Sequence, residues 1–101
     1  MSEVLLSDLD YAIELSIADF KKALDGYFSV EKIETEFYQD RDTWDVKIKF
    51  GVQPIKNFHQ LLEPVMIMII RKNFVYESEL PDEYFTFSYE PYKLTLTIKA
   101  K

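Results

Sequence analysis

Glu34 and Glu36 in one segment, and Lys47 and Lys49 in the next, repeat charge at a spacing of two, with apolar or β-branched residues between them. Two is the period of a strand, whose alternate side chains point to opposite faces. If 33–38 folds back on 44–50 with Glu36 facing Lys47 and Glu34 facing Lys49, unlike charges oppose each other on one face. The same register sets Phe37 against Val46, Thr35 against Ile48 and Ile33 against Phe50 on the other face. A slip of one residue would carry the charges into the core, so charge and hydropathy both demand a hairpin with one wet face and one buried face. Asp40-Arg41-Asp42-Thr43 is then the loop, where Asp favours a type I turn by bonding backbone two residues on. Gly51 and Pro54 end the second strand.

A second hairpin reads as clearly. Phe85, Phe87 and Tyr89 alternate with Thr86 and Ser88, and Leu94, Leu96 and Ile98 alternate with Lys93, Thr95, Thr97 and Lys99. The link Glu90-Pro91-Tyr92-Lys93 places Pro at the second position of a turn, which its fixed φ suits. Tyr89 should therefore face Leu94, Phe87 face Leu96 and Phe85 face Ile98.

Each hairpin is preceded by a segment of helical period. Leu9, Ile13, Ile17, Phe20, Leu24 and Tyr27 recur at steps of three and four, and Ser7-Asp8-Leu9-Asp10 has the form of a capping box that starts the helix. Gly26 could supply its left-handed end. From Asn57, Phe58, Leu61, Leu62, Val65 and Ile69 keep helical spacing, but Pro64 would remove one hydrogen bond and clash with the carbonyl of Gln60. Either a short helix from Asn57 meets a second one with Pro64 in its first turn, or 65–70 is a buried strand. The Met and Leu content and the terminal Arg71-Lys72 pair favour helix. Between this segment and the second hairpin, 77–83 reads as an acidic loop containing Pro81.

The expected fold is α+β: a two-layer sandwich with an antiparallel sheet of about four strands (two hairpins) and helices on one face, in the order α-β-β-α-β-β. The chain of 101 residues is expected to form a single domain over 1–101, with 48% hydrophobic and 16% aromatic residues arguing against disorder. Its longest apolar run, 65–70, is far below the roughly 20 residues that span a bilayer. No basic region precedes an apolar one near the start, so no targeting peptide is expected, and without cysteine the default location is cytoplasmic.

Most catalytic chemistry lacks its residues. His59 is the one histidine, there is no cysteine, and two glycines cannot build a phosphate loop. Asp40, Asp42 and Asp45 are spaced like part of a cation loop, but Trp44 stands where another oxygen ligand is needed, and turn formation explains the acids. Glu34 and Glu36 lie opposite lysines, which lowers their pKa and suits neither for proton donation near neutrality. No catalytic residue, cofactor or metal is expected, and the chain reads as non-enzymatic.

A net charge of -6 disfavours both direct nucleic-acid binding and attachment to an anionic membrane. Five acids and no base precede Lys21, and a second acidic stretch holds Glu77, Glu79, Asp82, Glu83 and Glu90. Acids of both stretches, together with tyrosines expected at turns or exposed faces, form the candidate partner-binding set: Asp8, Asp10, Glu14, Tyr38, Glu77, Glu79, Asp82, Glu83, Tyr84 and Tyr92. The expected function is a small acidic protein-binding domain of the inhibitor, immunity, chaperone or phage-accessory kind, with a basic protein partner. The alternatives are a nucleic-acid mimic that blocks a DNA-binding protein and a structural subunit of a larger assembly. A homodimer could form through a sheet edge or through the apolar surface of 65–70.

Overall fold

A computed structural model describes residues 6–25, 28–54, 56–75, 80 and 82–99. The order is α1 (Leu6–Asp25), β1 (Val30–Tyr38), β2 (Thr43–Phe50), α2 (His59–Asn73), β3 (Phe85–Glu90) and β4 (Lys93–Lys99). This is the α-β-β-α-β-β order of an α+β fold, with all strands in one antiparallel sheet ordered β1-β2-β4-β3. The two hairpins join through their second strands, so β2 and β4 are central and β1 and β3 are the edges.

The core lies between the sheet and the helix layer. Trp44, Val46, Ile48 and Phe50 of β2 and Leu94, Leu96 and Ile98 of β4 are buried, matched in register as Trp44 with Ile98, Val46 with Leu96 and Ile48 with Leu94. The two helices cover this face with Leu9, Ala12, Ile13, Phe20 and Leu24 from α1 and Leu62, Met66, Ile69 and Ile70 from α2. Each buried Leu, Ile, Phe or Met side chain among them contributes about 1.5–3 kcal/mol by leaving water. The other sheet face carries Glu34, Glu36, Asp45, Lys47, Lys49, Thr95 and Thr97 and is uncovered among the described residues.

The second hairpin has the expected register: Tyr89 with Leu94, Phe87 with Leu96 and Phe85 with Ile98. The first hairpin is shifted by two residues from the expected one. Glu34 faces Lys47, Glu36 faces Asp45, Thr35 faces Val46 and Phe37 faces Trp44. A shift of two preserves both faces, so alternation cannot exclude it. The loop decides: Gln39–Arg41 forms a turn of 3-10 helix and Asp42 takes the left-handed conformation at φ 48, ψ 47. Tyr38 and Thr43 then pair directly, and the loop runs from Gln39 to Asp42 rather than from Asp40 to Thr43. The Phe37 and Trp44 rings lie 4.5 Å apart in this register.

Three helix expectations are also revised. Ser7 lies inside α1 and does not cap it, because the helix already includes Leu6. The buried stripe of α1 runs through Leu9, Ala12, Ile13, Ser16, Phe20 and Leu24, while Ile17 is only half-buried. Tyr27 and the proposed cap Gly26 lie outside the described residues. In the second half, α2 is one continuous helix with Pro64 inside it, not two helices and not a strand. Pro64 costs the hydrogen bond to Gln60, and the buried Leu62, Met66, Ile69 and Ile70 on the same helix outweigh that loss.

Small residues bring the helices together. Ser16 is fully buried, its Oγ donates to the Ala12 carbonyl at 2.6 Å, and Asn73 Nδ2 donates to Ser16 Oγ at 3.0 Å and to Asp19 Oδ2 at 3.2 Å. No buried side-chain nitrogen or oxygen among the described residues lacks a partner.

Candidate protein-binding surface

The outward side of α1 carries the clearest candidate. Tyr11 is 55% exposed and Leu15 is 44% exposed. Four residues apart on a helix, they form one patch. Asp8 and Glu14 each stand three residues from Tyr11, so they neighbour the patch on the helix surface. Glu14 is exposed and Asp8 is half-buried. An aromatic ring with an aliphatic neighbour, bordered by carboxylates, can bury apolar area against a partner while attracting its cations.

Asp10, the third acid of this helix, is turned to a structural task. Its Oδ1 accepts from Trp44 Nε1 at 3.2 Å, tying the start of α1 to β2 and satisfying the indole of a side chain only 4% exposed. Asp19 is likewise engaged: Asn73 above all, and then Lys72 at 3.4 Å, hold its carboxyl below the ordinary range.

The tyrosines divide. Tyr92 is 54% exposed in the turn between β3 and β4. Tyr38 is half-buried on the open sheet face, where its hydroxyl donates to Glu36 Oε1 at 2.9 Å and Arg41 stacks 4.5 Å from its ring centroid. That bond raises the Tyr38 pKa. Tyr84 is half-buried against the core. Among the second group of acids, Glu83 is exposed, Asp82 belongs to the 3-10 helix Asp82–Tyr84, and Glu90 lies 3.9 Å from Lys93 on the open sheet face. Glu77 and Glu79 lie outside the described residues.

The open face is an ionic lattice. Lys47 Nζ is 2.9 Å from Glu36, and Glu34 is 3.3 Å from Lys32 and 3.5 Å from Lys49. Lys47 holds Glu36 below the ordinary carboxylate range, and Lys32 first, then Lys49, does the same for Glu34. In return Glu36 raises Lys47. Lys49 and Lys93 face each other across the β2–β4 pair, each with its carboxylate on the far side: Glu34 for Lys49 and Glu90 for Lys93. The charges therefore satisfy one another, which leaves this face less free for a partner than α1. On the same face Asp45 accepts from Thr97 at 2.8 Å.

His59 opens α2 and packs its ring 5.0 Å from Tyr89 and 6.3 Å from Phe58, in an aromatic cluster that continues to Phe50 and Phe28. In the apolar run 65–70, Met66, Ile69 and Ile70 belong to the core and Met68 is exposed. Tyr11 and Leu15 are absent from the sequence-based set, although two large apolar residues four apart and off the buried stripe are a readable sign of an unpartnered helix patch. Comparison with protein-family models and with curated proteins finds no match. No described helix is long and apolar enough to cross a membrane.

Proposed function

We propose that the chain is a non-enzymatic, cytoplasmic protein-binding domain whose α1 outer face receives a basic protein. The observation that carries this reading is the exposed Tyr11–Leu15 patch beside Asp8 and Glu14, on a helix with no base before Lys21. The aromatic and aliphatic groups supply contact area, and the carboxylates speed and orient encounter with cations. An inhibitor, immunity protein or chaperone would use such a face by occluding or escorting its partner. The nucleic-acid-mimic reading is weaker, because the described acids do not gather on one side: those of α1 lie in the helix layer, whereas Glu34, Glu36 and Glu90 lie among lysines on the open sheet face.

Capture from the organism of origin at stepped ionic strength tests the reading. A captured protein that is basic and elutes as salt rises supports it, since surface charge pairing is screened within about 10 Å at 0.1 M salt. Capture of acidic proteins alone, with binding insensitive to salt, contradicts it.

A further inference from the structure

The two edges of the sheet are not alike. β1 carries Glu31, Lys32, Glu34 and Glu36, and its pairing is interrupted between Val30 and Lys32. Charge and irregularity are the usual protections of an exposed edge. β3 has neither. From Phe85 to Tyr89 it reads Phe-Thr-Phe-Ser-Tyr, without charge or proline, and its pairing to β4 is regular throughout. No strand pairs with its other side among the described residues.

The backbone of β3 is set to accept a particular neighbour. In a hairpin closed by two residues, the pair flanking the turn, here Glu90 and Lys93, exchanges both hydrogen bonds, and the pairs then alternate. Glu90, Ser88 and Thr86 thus bond inward to β4, while Tyr89, Phe87 and Phe85 turn their N–H and C=O groups to the free edge. The bond from Phe50 N–H to the Tyr92 carbonyl, at 2.8 Å on the β2 side of the turn, fits this alternation.

We propose that β3 pairs antiparallel with β3 of a second copy of this chain, on a two-fold axis through Phe87, and so joins two four-stranded sheets into one. In this register Phe87 meets its own counterpart, Phe85 meets Tyr89 and Thr86 meets Ser88. Every residue that offers bonds at the edge is matched, giving roughly six backbone hydrogen bonds. Aromatic faces aromatic on the helix-covered side, where Phe87 is half-buried and Tyr89 is 39% exposed in the lone chain. Small hydroxyl residues face each other on the open side, and no charge opposes a like charge. A register centred on Ser88 leaves Phe85 unmatched. The closed two-fold symmetry stops growth at the dimer. This contact is independent of the α1 face.

Sedimentation velocity from about 10 µM to about 1 mM tests it. Because each copy carries a net charge of -6 and the contact itself is neutral, dimerisation should strengthen as salt rises, opposite to the binding of a basic partner. Thr86→Lys combined with Ser88→Lys opposes lysines across the axis and should leave the chain monomeric at every concentration, with its melting transition intact. Thr86→Lys combined with Ser88→Glu opposes unlike charges in the same register and should restore the dimer. A wild-type chain that stays monomeric at the highest concentration and salt overturns the proposal, as does a double-lysine variant that dimerises like wild type.

Discussion

Lys47 stands directly opposite Glu34 in the β1–β2 ladder, yet its ammonium reaches the diagonal Glu36, 2.9 Å away. Lys49 in turn reaches back to Glu34 at 3.5 Å. The hairpin is thus cross-laced, with directly opposed residues setting the backbone register and diagonal ones making the close ionic contacts. Long side chains make this possible, since diagonal neighbours in a sheet remain within their reach.

Double-mutant cycles should resolve the lacing. Coupling measured by urea unfolding is expected to be larger for Glu36 with Lys47 than for Glu34 with Lys47, although the second pair is directly opposed. Equal coupling in both cycles would return the contact to the ladder geometry.

Acid should weaken the fold in a defined window. Glu34, Glu36 and Asp19 have carboxyls held below their ordinary range by Lys32, Lys47 and Asn73 respectively. A carboxylate with a lowered folded pKa contributes stability above its unfolded pKa of about 4 and loses it as pH falls through the folded value. Stability should therefore fall below about pH 5, and Glu36→Gln should flatten that slope without changing its sign. At the alkaline end Lys47 and Tyr38, both raised, contribute below their ordinary pKa values and lose that contribution as pH rises through the folded ones. Titration of the urea midpoint checks both limbs.

Asp10→Ala should cost about 1–2 kcal/mol, since it leaves the buried Trp44 N–H without its acceptor. Tryptophan fluorescence and urea unfolding report this together. Glu14→Ala, on the solvent side of the same helix, should stay within about 0.5 kcal/mol of wild type. Similar losses for the two variants would show that Asp10 acts only as a helix charge.

Much of this architecture is legible before folding, and the failures have physical causes. The second hairpin yields its register because a two-residue connection between Glu90 and Lys93 leaves no slack. The first does not: charges repeated at two look the same after a shift of two, and only the left-handed Asp42 fixes the loop. Alternation assigns faces but not neighbours, so the union of β2 with β4 has no signature in either strand. Helical spacing locates α1, but a stripe counted on large apolar residues passes over Ala12 and Ser16, which are fully buried, and over the exposed Tyr11 and Leu15. Along the chain the candidate surface is acids plus tyrosines, whereas the helix geometry gathers a smaller patch and commits Asp10 and Tyr38 to internal bonds.

The most direct test of the binding role is a side-by-side capture from the organism of origin. The baits are the wild-type chain, Tyr11→Ala combined with Leu15→Ala, and Met68→Ala, which alters an exposed apolar residue on the other helix. If α1 is the binding face, the partner held by wild type and by Met68→Ala should be lost from the Tyr11→Ala, Leu15→Ala bait, whose fold should remain intact by circular dichroism. A partner retained equally by all three baits would contradict the account.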